Sequence, residues 1–267
     1  MKPTLLLTGA AGYVGSFLAR TLDSHYRIIP WTRAEGDLST EAGLSALARV
    51  AFDRMIHGAA GLPRPGALAD LLARNERMDR GVFALARDRG IPTAYLSGCS
   101  MYDLSTPKTH DETSSLFPKN DYHRAKAAGD ALFRGMIVVR ISSPVDPMRW
   151  PPTVLSRMRN DVREKGEATV FGLGRREQDF VHLGDVAAWL RALLESGKTG
   201  AFNACSSIPI TMRALAEKMA SHFGPARVRE LDSEEAPSFA RFDSSKIVAV
   251  TGHVPSDPAR FLFGSDG

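Results

Sequence analysis

Short, nearly continuous apolar runs alternate along the chain with longer segments whose apolar positions recur every three or four residues. Thr4 to Thr8, Tyr26 to Trp31, Arg54 to His57, Thr93 to Ser97 and Met136 to Ile141 read as strands. Gly15 to Leu22, Leu44 to Ala51, Leu68 to Arg89 and Asp121 to Arg134 carry helical spacing between them. Strand and helix alternating at this pitch imply βαβ units, hence a parallel sheet with helices on both faces. Past Pro144 the pattern changes. Pro144, Pro147, Pro151 and Pro152 interrupt regular structure. Helical stretches follow at Thr153 to Lys165, Asp185 to Glu195 and Thr211 to Phe223, with a strand at Ala168 to Phe171. The last forty or so residues are polar, with Pro and Ser interspersed. The chain is thus expected to divide into a main domain, 1–147, and a smaller lobe, 148–267. Ala168–Asp185 and Gly200–Ala204 are left open to return to the first domain's sheet.

Composition narrows the class. The 267 residues are 43% apolar and 24% charged, ordinary globular usage that excludes disorder. The net charge of +4 and a pI near 9.2 invite a nucleic-acid reading. Basic residues are scattered singly, however, and the tightest pair is Arg175-Arg176, so no stripe exists to displace counterions from a phosphate backbone. No nucleic-acid partner is expected. Cys99 and Cys205 are too few for a disulfide framework, and neither has metal-ligand spacing, so no metal site is expected. Apolar runs such as Met136–Val139 are far short of a membrane span. Leu5-Leu6-Leu7 runs straight into glycines and is no signal core. A cytoplasmic protein without a membrane partner is the expectation.

Three motifs carry chemistry. Thr8-Gly9-Ala10-Ala11-Gly12-Tyr13-Val14-Gly15 joins the first strand to the first helix. There Gly9 permits a tight turn, Gly12 lets backbone approach a pyrophosphate at the helix N-terminus, and Gly15 allows close helix–sheet packing. The second strand ends in Trp31-Thr32-Arg33, where NAD sites usually place a carboxylate for the ribose 2′-OH. None appears before Glu35. Thr32 and Arg33 suit a 2′-phosphate instead, favouring NADP with NAD left open. In Tyr122-His123-Arg124-Ala125-Lys126, Tyr122 and Lys126 share one helix face. A nearby ammonium is expected to lower the phenol pKa, fitting Tyr122 for proton transfer at a carbonyl or alcohol.

With these residues the sequence resembles the extended short-chain dehydrogenase/reductases, the NAD(P)-dependent epimerase/dehydratase family. The resemblance implies a Rossmann-type doubly wound α/β sheet with a small C-terminal substrate-binding lobe. Further segments match in order. Asp37-Leu38 resembles the pair that contacts adenine. Met55-Ile56-His57-Gly58-Ala59-Ala60 resembles the family's strand-four loop beside the cofactor. Asn75 falls at the long-helix Asn. Ser97 lies in the catalytic-serine strand, and Ile141-Ser142-Ser143 resembles the loop beside the nicotinamide. Asp179 to Val186 and Asp243 to Lys246 resemble later signatures. By this resemblance Gly9, Ala11, Gly12, Tyr13, Val14, Thr32, Arg33, Asp37, Leu38, Gly58, Ala59, Ala60, Asn75, Ser97, Ile141 and Ser142 contact cofactor, together with the catalytic Tyr122 and Lys126. Gly98, Cys99, Ser100, Ser143, Arg175 and Arg176 are expected to contact substrate.

Three departures shape the reading. The family's Ser or Thr, four residues before Tyr102, is Gly98 here. The Arg that grips the diphosphate of sugar nucleotides is Gln178, with Arg175 and Arg176 nearby. The C-terminal lobe is spare, and the compact Trp31–Asp37 link resembles the 4-ketosugar reductases. An NADP(H)-dependent reductase of a keto group on a sugar or sugar nucleotide is expected. The alternatives are an epimerase or dehydratase with retained cofactor, or a non-catalytic NADP-binding regulator. The resemblance also allows a homodimer through Leu68–Arg89 and the helix bearing Tyr122. His57 and His182 are expected to be satisfied buried histidines, Cys99 a packing residue, and Met101 and Trp189 core.

Overall fold

The computed structural model describes residues 2–63, 70–234 and 236–264. In chain order its strands are β1 (Thr4–Thr8), β2 (Arg27–Trp31), β3 (Arg54–His57), β4 (Thr93–Gly98), β5 (Ile137–Ile141), β6 (Ser143–Val145), β7 (Glu167–Phe171), β8 (Glu177–His182), β9 (Gly200–Ala204), β10 (Pro209–Thr211) and β11 (Arg227–Leu231). Its helices are α1 (Tyr13–Leu22), α2 (Glu41–Leu47), α3 (Leu71–Asp88), α4 (Asp121–Leu132), α5 (Val154–Lys165), α6 (Leu183–Ser196), α7 (Met212–His222), α8 (Ser245–Thr251) and α9 (Pro258–Phe263).

Six strands pair side by side in parallel, in the order β2-β1-β3-β4-β5-β9. Successive side chains in a strand point to opposite faces, and both faces here are covered. Leu5 and Leu7, Ala94 and Leu96, and Ile137 and Val139 enter one core with α1, α6 and α8. Leu6, Tyr95 and Val138 enter the other with α2 and α3. That double burial is why these runs read as continuously apolar. β2 is an edge strand, which is where Pro30 is tolerated. β1 lies between β2 and β3, so the chain leaves it in opposite directions. The crevice at the carboxyl ends of β1 and β3 is the usual ligand position of such a sheet.

The remaining strands correct one expectation. The strands within Ala168–Asp185 do not return to the large sheet: β8 lies between β6 and antiparallel β10, and β7 pairs with β11. These small sheets share a separate core with α5, α7 and α9, built on Leu155, Met158, Phe180, Leu215 and Phe263. The polar C-terminal stretch is more ordered than its composition implies. Ile247 of α8 enters the main core and Leu262 of α9 the lobe core. The long helix expected from Leu68 is described from Leu71; Leu68 and Ala69 lie outside the described residues. Among the described residues no helix is long and apolar enough to cross a membrane.

Candidate functional site

The β1–α1 turn is backbone against backbone. Gly9 adopts φ +73°, and a Cβ there would lie 2.7 Å from the Gly58 carbonyl and the Ala59 amide. A Cβ on Gly15 would run into the Gly9 carbonyl. Gly12 caps α1 in extended conformation, and no side-chain cap bonds the first-turn amides among the described residues. Tyr13 is turned away, its hydroxyl accepting from the Asp146 amide at 2.7 Å. Ala11, Gly12 and Val14 therefore offer a bare helix N-terminus with close backbone access. This fits a dinucleotide pyrophosphate, on the geometry of the turn itself.

A buried polar chain runs from this turn to Lys126. The Ala59 amide donates to Thr8 Oγ1 at 3.2 Å, and Thr8 Oγ1 lies 2.6 Å from His57 Nδ1. His57 Nε2 lies 3.0 Å from Asp79 Oδ1, and the Tyr95 hydroxyl donates to Asp79 Oδ2 at 2.8 Å. Lys126 Nζ donates to the Leu96 carbonyl at 2.9 Å and lies 3.3 Å from the Tyr95 hydroxyl. The hydrogen-bond assignment that satisfies every group has the Thr8 hydroxyl donating to His57 Nδ1 and His57 Nε2–H donating to Asp79. Burial, with Asp79 beside it, holds the Tyr95 phenol well above its ordinary range, so it remains a donor. Gly129 of α4 packs against this chain, since a Cβ there would strike the Tyr95 hydroxyl. The sequence reading missed Asp79. The available signal was a carboxylate on the α3 stripe that buries Asn75, Met78, Val82 and Ala86.

A second buried group anchors α4 to β5. Arg140 grips Asp130 with two bonds of 2.8 Å, the two side chains being 2% and 0% exposed. Arg140 also donates to the Tyr102 hydroxyl at 2.6 Å, which donates to Asn203 at 2.8 Å. Asn120 caps the start of α4, accepting from the His123 amide at 2.9 Å, and so fixes the turn that carries Tyr122. Tyr122 corrects an expectation. Its phenol is pushed up rather than down, by burial and by Asp79. Burial in turn pushes the Lys126 amine down, against the pull of Asp79.

The other expected residues separate into two groups. Several are engaged by protein. Asn75 exchanges bonds with the Gly61 backbone at 2.6 and 3.1 Å, setting the loop after β3. Ser97 donates to Asp130 at 3.2 Å. Asp37 accepts from Ser39 and pairs with Arg74 at 3.0 Å, while Leu38 is buried. Glu35 folds back onto Thr32, accepting from its amide and hydroxyl at 2.7 Å each. A carboxylate thus does stand at the end of β2, beside the exposed Arg33. Cys99 is fully buried with its thiol on the Arg140 carbonyl, and burial pushes that thiol well up, which makes it a packing residue. His57 is buried and satisfied; His182 is only half-buried and caps α6 by accepting from Gly184. Met101 and Trp189 are core.

The second group stands on the segments after β4 and β5 and around β8. After Ile141, the Ser142 amide donates to the Ala204 carbonyl at 3.0 Å. Gln178, standing where an Arg was expected, donates to the Ser143 hydroxyl and accepts from Arg176 at 3.1 Å. The structure therefore brings Arg176 to Ser143; Arg175 is exposed next to it. Asp103, the carboxylate nearest the β4 turn in sequence, accepts from the Ser105 amide at 3.1 Å.

Two curated relatives span most of the chain. A dTDP-glucose 4,6-dehydratase of Streptomyces niveus is 23% identical over 94% of this chain and 88% of its own length. A dTDP-4-dehydro-6-deoxy-D-allose reductase of a Streptomyces species is 26% identical over 85% of this chain and 83% of its own. Among solved structures, dTDP-4-dehydrorhamnose reductase from Bacillus anthracis in complex with NADP superposes with a TM-score of 0.84. It is 19% identical, with 98% of this chain and 97% of that chain covered, and shows the shared fold. The family model for the NAD dependent epimerase/dehydratase family matches residues 5–205. With its glycine turn, parallel sheet and Tyr122/Lys126 helix, the chain belongs to that family, the extended branch of the short-chain dehydrogenase/reductases.

Proposed function

We propose that the protein is an NADP(H)-dependent reductase of a keto group on a nucleotide-linked sugar. The observation that carries this reading is the turn after β4. Gly98-Cys99-Ser100 presents no carboxylate, and Asp103 is bound to its own loop. The elimination catalysed by a dehydratase needs an acid/base group there. Tyr122, its phenol held above the ordinary range, keeps a proton to give.

When bound, the cofactor would supply the hydride that reduces the carbonyl carbon to an alcohol. Tyr122 donates the proton to the carbonyl oxygen. Lys126, held by Leu96 and the Tyr95–Asp79 pair, presents an ammonium to the nicotinamide ribose. Ala11, Gly12 and Val14 hold the pyrophosphate, and Gly58, Ala59 and Ala60 line the crevice beside it. Arg33 meets the 2′-phosphate. Arg176, carried by Gln178, faces the substrate's diphosphate, with the lobe of 148–267 closing over the sugar. A homodimer through α3 and α4 and a cytoplasmic location complete the reading. The latter accords with two free buried cysteines.

The test is reduction of a dTDP-4-keto-6-deoxyhexose, followed by nicotinamide absorbance. NADPH should be consumed, and Tyr122→Phe should abolish turnover with cofactor binding retained. Full turnover by that variant would sink the mechanism. Glu35 favours a second reading, with NAD in place of NADP. Tightly retained NAD in the purified protein, without net NADPH consumption, would select it and the epimerase or dehydratase chemistry that accompanies a retained cofactor.

A further inference from the structure

The proposed reduction draws its rate from donors aimed at the reacting oxygen, and the position that should hold the second donor is Gly98. Nothing in the backbone requires glycine there. Its φ of −144° and ψ of 142° are ordinary extended values. Among the described residues a Cβ built on it meets nothing closer than Ser100 Oγ at 3.6 Å and the Ile141 carbonyl at 3.9 Å. The space a side chain would fill is therefore open, and the Ser100 hydroxyl borders it.

The neighbouring candidates are already committed. Ser97 is buried on Asp130, and the Cys99 thiol is sealed against Arg140. Ser100 is exposed, on the helical turn Cys99–Met101. Its Oγ lies 3.3 Å from His123 Nε2, and the His123 ring centroid is 6.1 Å from that of Tyr122. One hydroxyl thus stands beside the empty Gly98 position and is tied to the residue next to the proton donor.

We infer that Ser100 supplies the hydroxyl that Gly98 lacks, donating a hydrogen bond to the reacting substrate oxygen, with His123 as its positioning residue. The inference rests on the reductase reading. The direction of the Ser100–His123 bond follows from burial. His123 Nδ1 is buried with no hydrogen-bond partner among the described residues. Proteins tolerate a bare buried acceptor better than an orphaned N–H. The imidazole proton is therefore assigned to Nε2, which donates to Ser100 Oγ. The Ser100 O–H is then free for the substrate. Burial and Lys119 push the imidazole down, so it is neutral at neutral pH.

The experiment compares wild type, Tyr122→Phe, Ser100→Ala, Gly98→Ser/Ser100→Ala, His123→Phe and His123→Gln. Each is assayed with NADPH and a dTDP-4-keto-6-deoxyhexose, and NADPH affinity is read separately by fluorescence. Ser100→Ala should lower kcat on the order of a hundredfold with NADPH affinity unchanged. The double variant, with its hydroxyl moved to position 98, should recover at least part of that loss. His123→Phe should lower kcat roughly tenfold, the effect of one hydrogen bond. His123→Gln, which keeps an N–H near the Nε2 position, should restore it. Wild-type kcat in Ser100→Ala, or a double variant no faster than Ser100→Ala, overturns the inference. If Tyr122→Phe is inactive while Ser100→Ala matches wild type, only this inference fails. If wild type reduces no such ketone, the reductase reading fails and takes the inference with it.

Discussion

The two sides of Lys126 and Tyr122 are built differently. Toward α3 and the glycine turn, Thr8, His57, Asp79 and Tyr95 are buried and joined without a gap to Lys126. Toward the lobe, Ser100 and Arg176 are exposed, and Ser143 and Gln178 are half-buried. Buried polar groups hold one geometry because any other leaves a donor or acceptor unsatisfied. Exposed groups have water as an alternative partner and can be realigned. On the reductase reading proposed above, the cofactor side is set before any ligand arrives, whereas the substrate completes its own side. Departures from the family pattern, at Gly98 and Gln178, fall on the adjustable side.

The sharpest way to break this contrast is at the anchor of α4. Asp130→Ala leaves Arg140 charged and buried, and should cost about 3–5 kcal/mol in urea denaturation. A loss below 1 kcal/mol would show that water reaches this side too. Asp79→Asn keeps the shape but removes the charge. It should destabilise by about 1–3 kcal/mol and weaken turnover through Lys126. On the open side the same measurement should barely move: Arg176→Ala is expected to change stability by less than about 0.5 kcal/mol. Its effect should appear as a several-fold higher KM for a nucleotide sugar at unchanged kcat. The smallest effect concerns the cysteines. Cys99 and Cys205 are buried, and burial pushes both thiols up. A thiol-specific alkylating reagent should label neither in the native protein and both in denaturant. Rapid native labelling of Cys99 would mean the β4 turn opens far more readily than described.

Much of the architecture was legible along the chain. Leu5-Leu6-Leu7 and Ile137-Val138-Val139 are short runs of strand length, and alternating with helical segments they point to a parallel sheet covered on both faces. Gly9, Gly12 and Gly15 announce a turn where backbone must meet backbone. The spacing of Tyr122 and Lys126 needs only helix geometry to bring them onto one face. The three-stranded small sheet was not legible, because β6 and β10 are only three residues each and carry no period; of the two-stranded one, β7 reads as a strand in the sequence but its partner β11 does not. The downward shift expected for Tyr122 failed for a similar reason. Lys126 is its neighbour by spacing, but burial and Asp79 depend on how α3 docks against α4.

The sequence alone determined whatever depends on neighbours within a turn or strand: the element order as far as β5, the glycine turn and the candidate catalytic pair. Only the tertiary structure decided which polar groups complete the site. Thr8 meets His57 across 49 residues, Tyr102 meets Asn203 across 101, and Ser100 meets His123 across 23. Hydrogen bonds of that kind have no periodicity to read. They depend on distances of a few ångström, set by the packing of whole helices on the sheet.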